Sequence, residues 1–211
     1  HPFAICLIWF VTMSGLQAVG MIRMPGLPDF SLSRMSQMLV LLVGAIHIAA
    51  GRRLLRPPFA PEILLVLHAV YILVNMQLAG MGERFHTWLG SSFAPILGYM
   101  FAKYFFAQER HLRYLLYTLV VLSVYFWITC VGERYGIDAI VWPKVILDRD
   151  IGISWFGRSR GPFLQPAVTG QFLGWFLMVQ VFLLTRRLPA AVRLLLVANI
   201  AMCAIGAFLT Y

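Results

Sequence analysis

Charged side chains are scarce in this chain. They make up 12% of its 211 residues, about half the fraction expected of a soluble domain. They are also missing from long stretches, and mean hydropathy is +0.81. That scarcity excludes a soluble globular domain. Cysteine is nearly absent too. Cys6, Cys130 and Cys203 each sit in an apolar run, with no Cys-x-x-Cys pair. This excludes a disulfide framework and leaves buried, inert thiols. No cluster of side chains has metal-ligand spacing, so no metal and no cofactor is expected. The first 20 residues lack a basic start and an Ala-x-Ala cleavage site, which excludes a signal peptide. There is no repeat of fixed period and no low-complexity segment. The net charge of +9 invites a nucleic-acid reading. The basic residues form no continuous stripe and sit between apolar runs, so no nucleic-acid partner is expected.

What is present is a series of apolar runs. A helix needs about 20 mostly apolar residues to cross a hydrocarbon core. Seven runs approach or meet that length: 2–21, 35–50, 62–79, 90–107, 114–131, 167–185 and 191–209, the second starting upstream of 35. The expected fold is therefore all-α, a polytopic transmembrane helix bundle of about seven spans in a single domain, 1–211. The short connections after the second, fourth and sixth runs, with their helix ends, hold nine of the 17 basic residues against Glu62 and Glu109. Short basic loops face the cytoplasm. The N-terminus is thus expected inside, and the long connection 132–166 outside. The chain begins and stops within apolar runs, which predicts a piece of a longer protein.

The 132–166 connection has room for chemistry, since loops this long are usually functional or disordered. Trp142, Trp155 and Phe156 argue against disorder, and 138–142 suits a short helix on the membrane interface. Near its end comes Gly157-Arg-Ser-Arg-Gly-Pro-Phe-Leu-Gln-Pro166. Guanidinium forks at Arg158 and Arg160 suit bidentate capture of phosphate or diphosphate oxygens. Gly161-Pro162 turns the chain, and Pro166 suits the first turn of the next helix. That helix start adds a positive dipole end, so the stretch reads as an anion site. The alternative is that both arginines contact lipid headgroups or pair with Asp148 and Asp150.

The pattern Arg-x-Arg-Gly-Pro-Phe-x-x-Pro-x-x-x-Gly-x-x-Leu over 158–173, running from a loop into a span, resembles the O-antigen ligase and polysaccharide polymerase family. Ile22-Arg-Met-Pro-Gly-Leu-Pro-Asp-Phe30 followed by Arg34 also looks like the first outer loop of exopolysaccharide polymerases. The resemblance implies a membrane glycosyltransferase of a bacterial cytoplasmic membrane. It would move a glycan from an undecaprenyl-diphosphate carrier to an acceptor sugar on the outer face. Arg160 and Arg158 would be its catalytic residues, with Arg160 favoured because it abuts Gly-Pro-Phe. Gly161 and Gln165 would join them in binding substrate. The implied partners are the lipid-linked glycan and membrane lipids. The family also has a functional histidine in a large outer loop and a second arginine, both further along than this chain reaches. The chain is therefore not expected to act alone.

Other polar residues have blander readings. His47 and His68 fall in the second and third runs, either as functional intramembrane groups or as histidines satisfied by neighbouring helices. Asn75, Gln77, Gln171, Gln180 and Asn199 are expected to hydrogen-bond between helices. His86 and Asp29 are weaker site candidates on the outer side. A transporter with a polar path through His47, His68, Asn75 and Gln77 is the first rival. It would commonly show paired halves or interrupted spans, which are not visible here. A non-catalytic membrane subunit is the second.

Overall fold

The structure is a computed structural model that describes residues 2–13, 32–50, 60–77, 96, 99, 103, 108–148 and 157–211. The described residues are helical or in turns, with no strand among them. The helices are α1 (Pro2–Met13), α2 (Leu32–Ala49), α3 (Ala60–Gln77), α4 (Glu109–Tyr135), α5 (Pro166–Leu184) and α6 (Ala190–Leu209). Three of these, α4, α5 and α6, are long and apolar enough to cross a membrane. Shorter apolar stretches lie within the other three, at Phe3–Thr12, Met35–Gly44 and Ile63–Asn75. Six of the seven expected runs thus contain helix, with 14–21 of the first and 78–79 of the third lying outside the described residues. The run 90–107 lies outside the described residues, apart from Ile96, Tyr99 and Lys103.

The chain divides into two compact units. One comprises His1–Cys6 and Leu39–Leu112, the other Leu7–Met38 and Arg113–Tyr211. In the first, the Phe3 ring stacks on His111, with centroids 4.3 Å apart. His68 and Asn75 are exposed on α3, and Asn75 donates to the Tyr71 carbonyl of its own helix.

The second unit is built around α4, α5 and α6. Its core is Leu122, Phe126, Cys130, Leu173, Phe176 and Cys203, with Phe10 and Val11 of α1 packed against it. Phe126 is fully buried and meets Phe176 edge-on at 5.1 Å. A Cβ at Gly206 would lie 3.0 Å from the Cβ of Trp127, so glycine lets α6 approach α4 closely. All three cysteines are free and buried.

Buried polar side chains of α4, α5 and α6 are hydrogen-bonded, as a low-dielectric interior requires. Asn199 of α6 donates to Ser123 Oγ of α4 and to Gln180 Oε1 of α5, each at 2.8 Å. Trp127 Nε1 donates to Asn199 Oδ1 at 2.8 Å. Gln180 and Asn199 therefore do join helices, as expected of them. Gln171 instead is exposed. Thr12 of α1 shares a 2.7 Å hydrogen bond with Ser36 of α2.

Helix α4 outruns its expected run 114–131 at both ends. It starts at Glu109, and it continues to Tyr135 although the connection was expected to begin at residue 132. Gly136 ends it, with φ +68°, and Ile137 N–H donates to Gly132 O at 2.8 Å. That six-to-one bond with a left-handed glycine is a Schellman stop. Glu133 and Arg134 thus belong to the last helical turn.

Candidate functional site

The last turn of α4 holds an electrostatic misfit. A helix C-terminus carries partial negative charge, so a carboxylate there needs compensation. Glu133 receives it from loop residues 27 and 28 positions downstream. Its Oε2 accepts the backbone N–H of Arg160 at 2.7 Å and of Gly161 at 2.9 Å. Its Oε1 accepts Arg160 Nε at 2.9 Å, closing an ion pair whose side chains are about one-tenth exposed. The guanidinium goes on to donate from Nη1 to the Asp148 carbonyl at 2.8 Å and from Nη2 to the Ile146 carbonyl. Charge-assisted bonds of this kind are roughly twice as strong as neutral ones.

The residues around Arg160 complete a knot. Ser159 is fully buried. Its N–H donates to Leu209 O at the end of α6, at 2.9 Å. Its hydroxyl donates to Cys130 O near the end of α4, at 2.8 Å. Thr169, in the first turn of α5, donates its hydroxyl to Arg160 O at 2.6 Å. Three consecutive loop residues, Ser159 to Gly161, therefore engage the ends of α4, α5 and α6 together. Gly161 has φ +61°, and a Cβ there would lie 2.5 Å from Thr169 Cγ2. Only glycine fits both demands.

The rest of the motif serves the same packing. Gly161–Phe163 forms a turn of 3-10 helix, Pro162 is buried, and Phe163 packs on Phe172 and Phe126 at 4.6 and 5.6 Å. Pro166 starts α5, as its missing N–H favours.

The candidate residues consequently fall into two groups. Arg160 and Gly161 are buried, with the guanidinium of the first and the amide of the second committed to Glu133 and neighbouring carbonyls. Arg158 and Gln165 are exposed. Arg158 has no ion-pair partner among the described residues. Gln165 precedes the first turn of α5 and makes no side-chain capping bond. Arg134, also exposed, donates to Gly157 O at 2.6 Å and holds the segment leading into Arg158. Sequence reasoning had foreseen pairing of the arginines with Asp148 or Asp150. The structure pairs Arg160 with Glu133 and with the Asp148 carbonyl, while Asp150 lies outside the described residues.

Glu133 is the member of this cluster that sequence reasoning passed over. Its signal was an acid in the closing turn of an apolar helix, where the dipole opposes it. Asp150, Trp155, Phe156, Asp29, Arg23 and His86 lie outside the described residues, as do the side chains of Arg34 and Gln77. Among the described residues no group of three His, Cys, Asp or Glu side chains is placed to hold a metal ion. Set beside protein-family models, curated proteins and solved structures, the chain matches none of them.

Proposed function

We propose that this chain belongs to an integral-membrane glycosyltransferase of the O-antigen ligase or polysaccharide polymerase kind. It would span a bacterial cytoplasmic membrane about seven times, with its N-terminus inside and the Arg158 loop outside. The reaction would be attack by an acceptor hydroxyl on the anomeric carbon of a carrier-linked glycan. The new bond is from acceptor oxygen to that carbon; the bond broken joins the carbon to the diphosphate of the undecaprenyl carrier. Negative charge grows on the departing diphosphate, and a fixed cation beside it lowers the barrier.

The observation that carries this reading is the division within Arg-x-Arg-Gly-Pro-Phe. Arg160 and Gly161 are tied down, while Arg158 stands exposed two residues earlier, at the end of the bundle where α5 begins. A rigid loop presenting one solvent-facing guanidinium at the positive end of a helix suits capture of a diphosphate. The roles therefore shift from those the resemblance alone implies. Arg158, with Gln165 beside the α5 start, would contact the leaving group, and Arg160 would position the loop.

The test uses the intact protein in cells. Arg158→Ala should lower glycan transfer by roughly 100-fold or more, with membrane insertion and thermal stability unchanged. Full transfer by a correctly inserted Arg158→Ala protein would overturn the reading. Arg160→Ala is the poorer probe, because it strips the partner from a buried carboxylate and confounds folding with catalysis.

A further inference from the structure

The stretch that follows α4 has an unusual surface. Its inner face is fixed. Val141 and Ile146 are completely buried, and Tyr125 of α4 donates its hydroxyl to the Trp142 carbonyl at 2.8 Å. A Cβ at Gly132 would lie 2.7 Å from Val141, so the stretch folds tightly back over the end of α4. It cannot roll over to hide its other face. That face carries Tyr135, Ile137, Ile140 and Trp142, which are 44 to 68% exposed.

Four large apolar or amphipathic side chains on a short ledge are poorly placed if water surrounds them. Charged residues are interleaved with them. Arg134 and Lys144 are exposed alongside, as are Asp138 and Asp148. The level of the ledge is defined by the bundle. Ser159 bonds the ends of α4 and α6 within one residue, so the ledge lies where two apolar helices finish and α5 starts. Phe208 and Tyr211, at the same end of α6, are 77 and 84% exposed. An apolar body with a polar or cationic fringe, at the level where spanning helices end, matches the chemistry of a bilayer headgroup layer. Rings and isoleucines enter the acyl boundary there, while arginine and lysine reach phosphates.

We propose that the ledge Tyr135–Lys144 is a membrane-interface seat, whose occupant is the phospholipid headgroup layer. Trp142, Ile137 and Ile140 sit in the acyl boundary, and Arg134 and Lys144 contact lipid phosphate. The inference goes beyond the glycosyltransferase reading and does not depend on it, since it holds for either leaflet and for any activity.

The experiment places the full-length protein in phosphatidylcholine–phosphatidylglycerol liposomes. A spin label is attached at Ile137→Cys, with the three native thiols remaining unlabelled because they are 0 to 4% exposed. Val121→Cys, mid-α4 and 68% exposed, serves as the lipid reference. Arg187→Cys serves as the water reference. Collision with oxygen relative to a water-soluble nickel chelate should fall between the two references. A label as open to the chelate as Arg187→Cys would overturn the proposal in favour of a water-facing ledge. Shielding from both reagents would overturn it in favour of a protein cover. A second measurement needs no cysteine. The emission lost on Trp142→Phe is the contribution of Trp142, and shallow brominated lipid should quench roughly half of it. Absence of that quenching, with full quenching by aqueous acrylamide, would equally overturn it.

Discussion

At the scale of single residues, the pair Glu133–Arg160 decides how the loop behaves. Both side chains are about one-tenth exposed, so removing one leaves a charge stranded. Arg160→Ala should destabilise the second unit by about 3–5 kcal/mol, read as a lower thermal midpoint in detergent. Adding Glu133→Gln to that variant removes the stranded charge and should recover part of the loss. A double variant no more stable than Arg160→Ala would show that the carboxylate is not the source of the penalty. Gly161→Ala probes the same turn sterically. Its methyl would collide with Thr169 in a left-handed backbone, at an expected cost of about 1–3 kcal/mol by the same measurement. Little of this pairing was legible beforehand. Arg160 stood out through its guanidinium and its Gly-Pro-Phe context. Glu133 is 27 residues away from it, and no local spacing links two groups that meet only when helix ends converge.

At the scale of elements, the apolar runs told most of the story. Length and lack of charge locate α4, α5 and α6 to within a few residues, because a helix in lipid must satisfy its backbone internally. The end of α4 was misjudged for a physical reason. Glu133 and Arg134 interrupt the apolar run and resemble the start of a loop, whereas the true stop is Gly136. Gln180 and Asn199 were recognisable as interhelical partners. Which groups they would meet depends on helix rotation, which only the packed bundle defines. Their network yields a prediction. Asn199→Leu strips partners from Trp127 Nε1, Ser123 and Gln180 together. It should cost about 1–3 kcal/mol, seen as unfolding at a lower mole fraction of sodium dodecyl sulfate. Replacing Ser123, Gln180 and Asn199 with apolar residues at once removes two of the three orphaned groups and leaves Trp127 Nε1 without its acceptor, so the triple variant should be more stable than Asn199→Leu. The opposite ranking would mean that the network contributes more than the satisfaction of its own members.

At the scale of the whole molecule, the question is which side of the membrane each helix end faces. Helix α5 has 19 residues, about 28 Å at the usual rise, close to a hydrocarbon core of about 30 Å. Arg158 precedes it and Arg187 follows it, so the two should lie on opposite sides. Cysteines introduced singly at 158 and 187 should be labelled from opposite faces by a membrane-impermeant maleimide, with 187 reached only after permeabilisation of cells. Labelling of both from one face would remove α5 from the list of spans. Labelling of 187 alone in intact cells would invert the topology inferred from the basic loops. The knot at Ser159 also bears on how the chain is made. Translation delivers the loop well before α6, yet the Ser159 amide is satisfied by Leu209, 50 residues later in the chain. While synthesis is under way, the loop has already been made but its last anchor has not been translated. The arginine-bearing turn consequently reaches its final shape late in biogenesis, once α6 has been inserted and its C-terminal carbonyl has met the waiting amide.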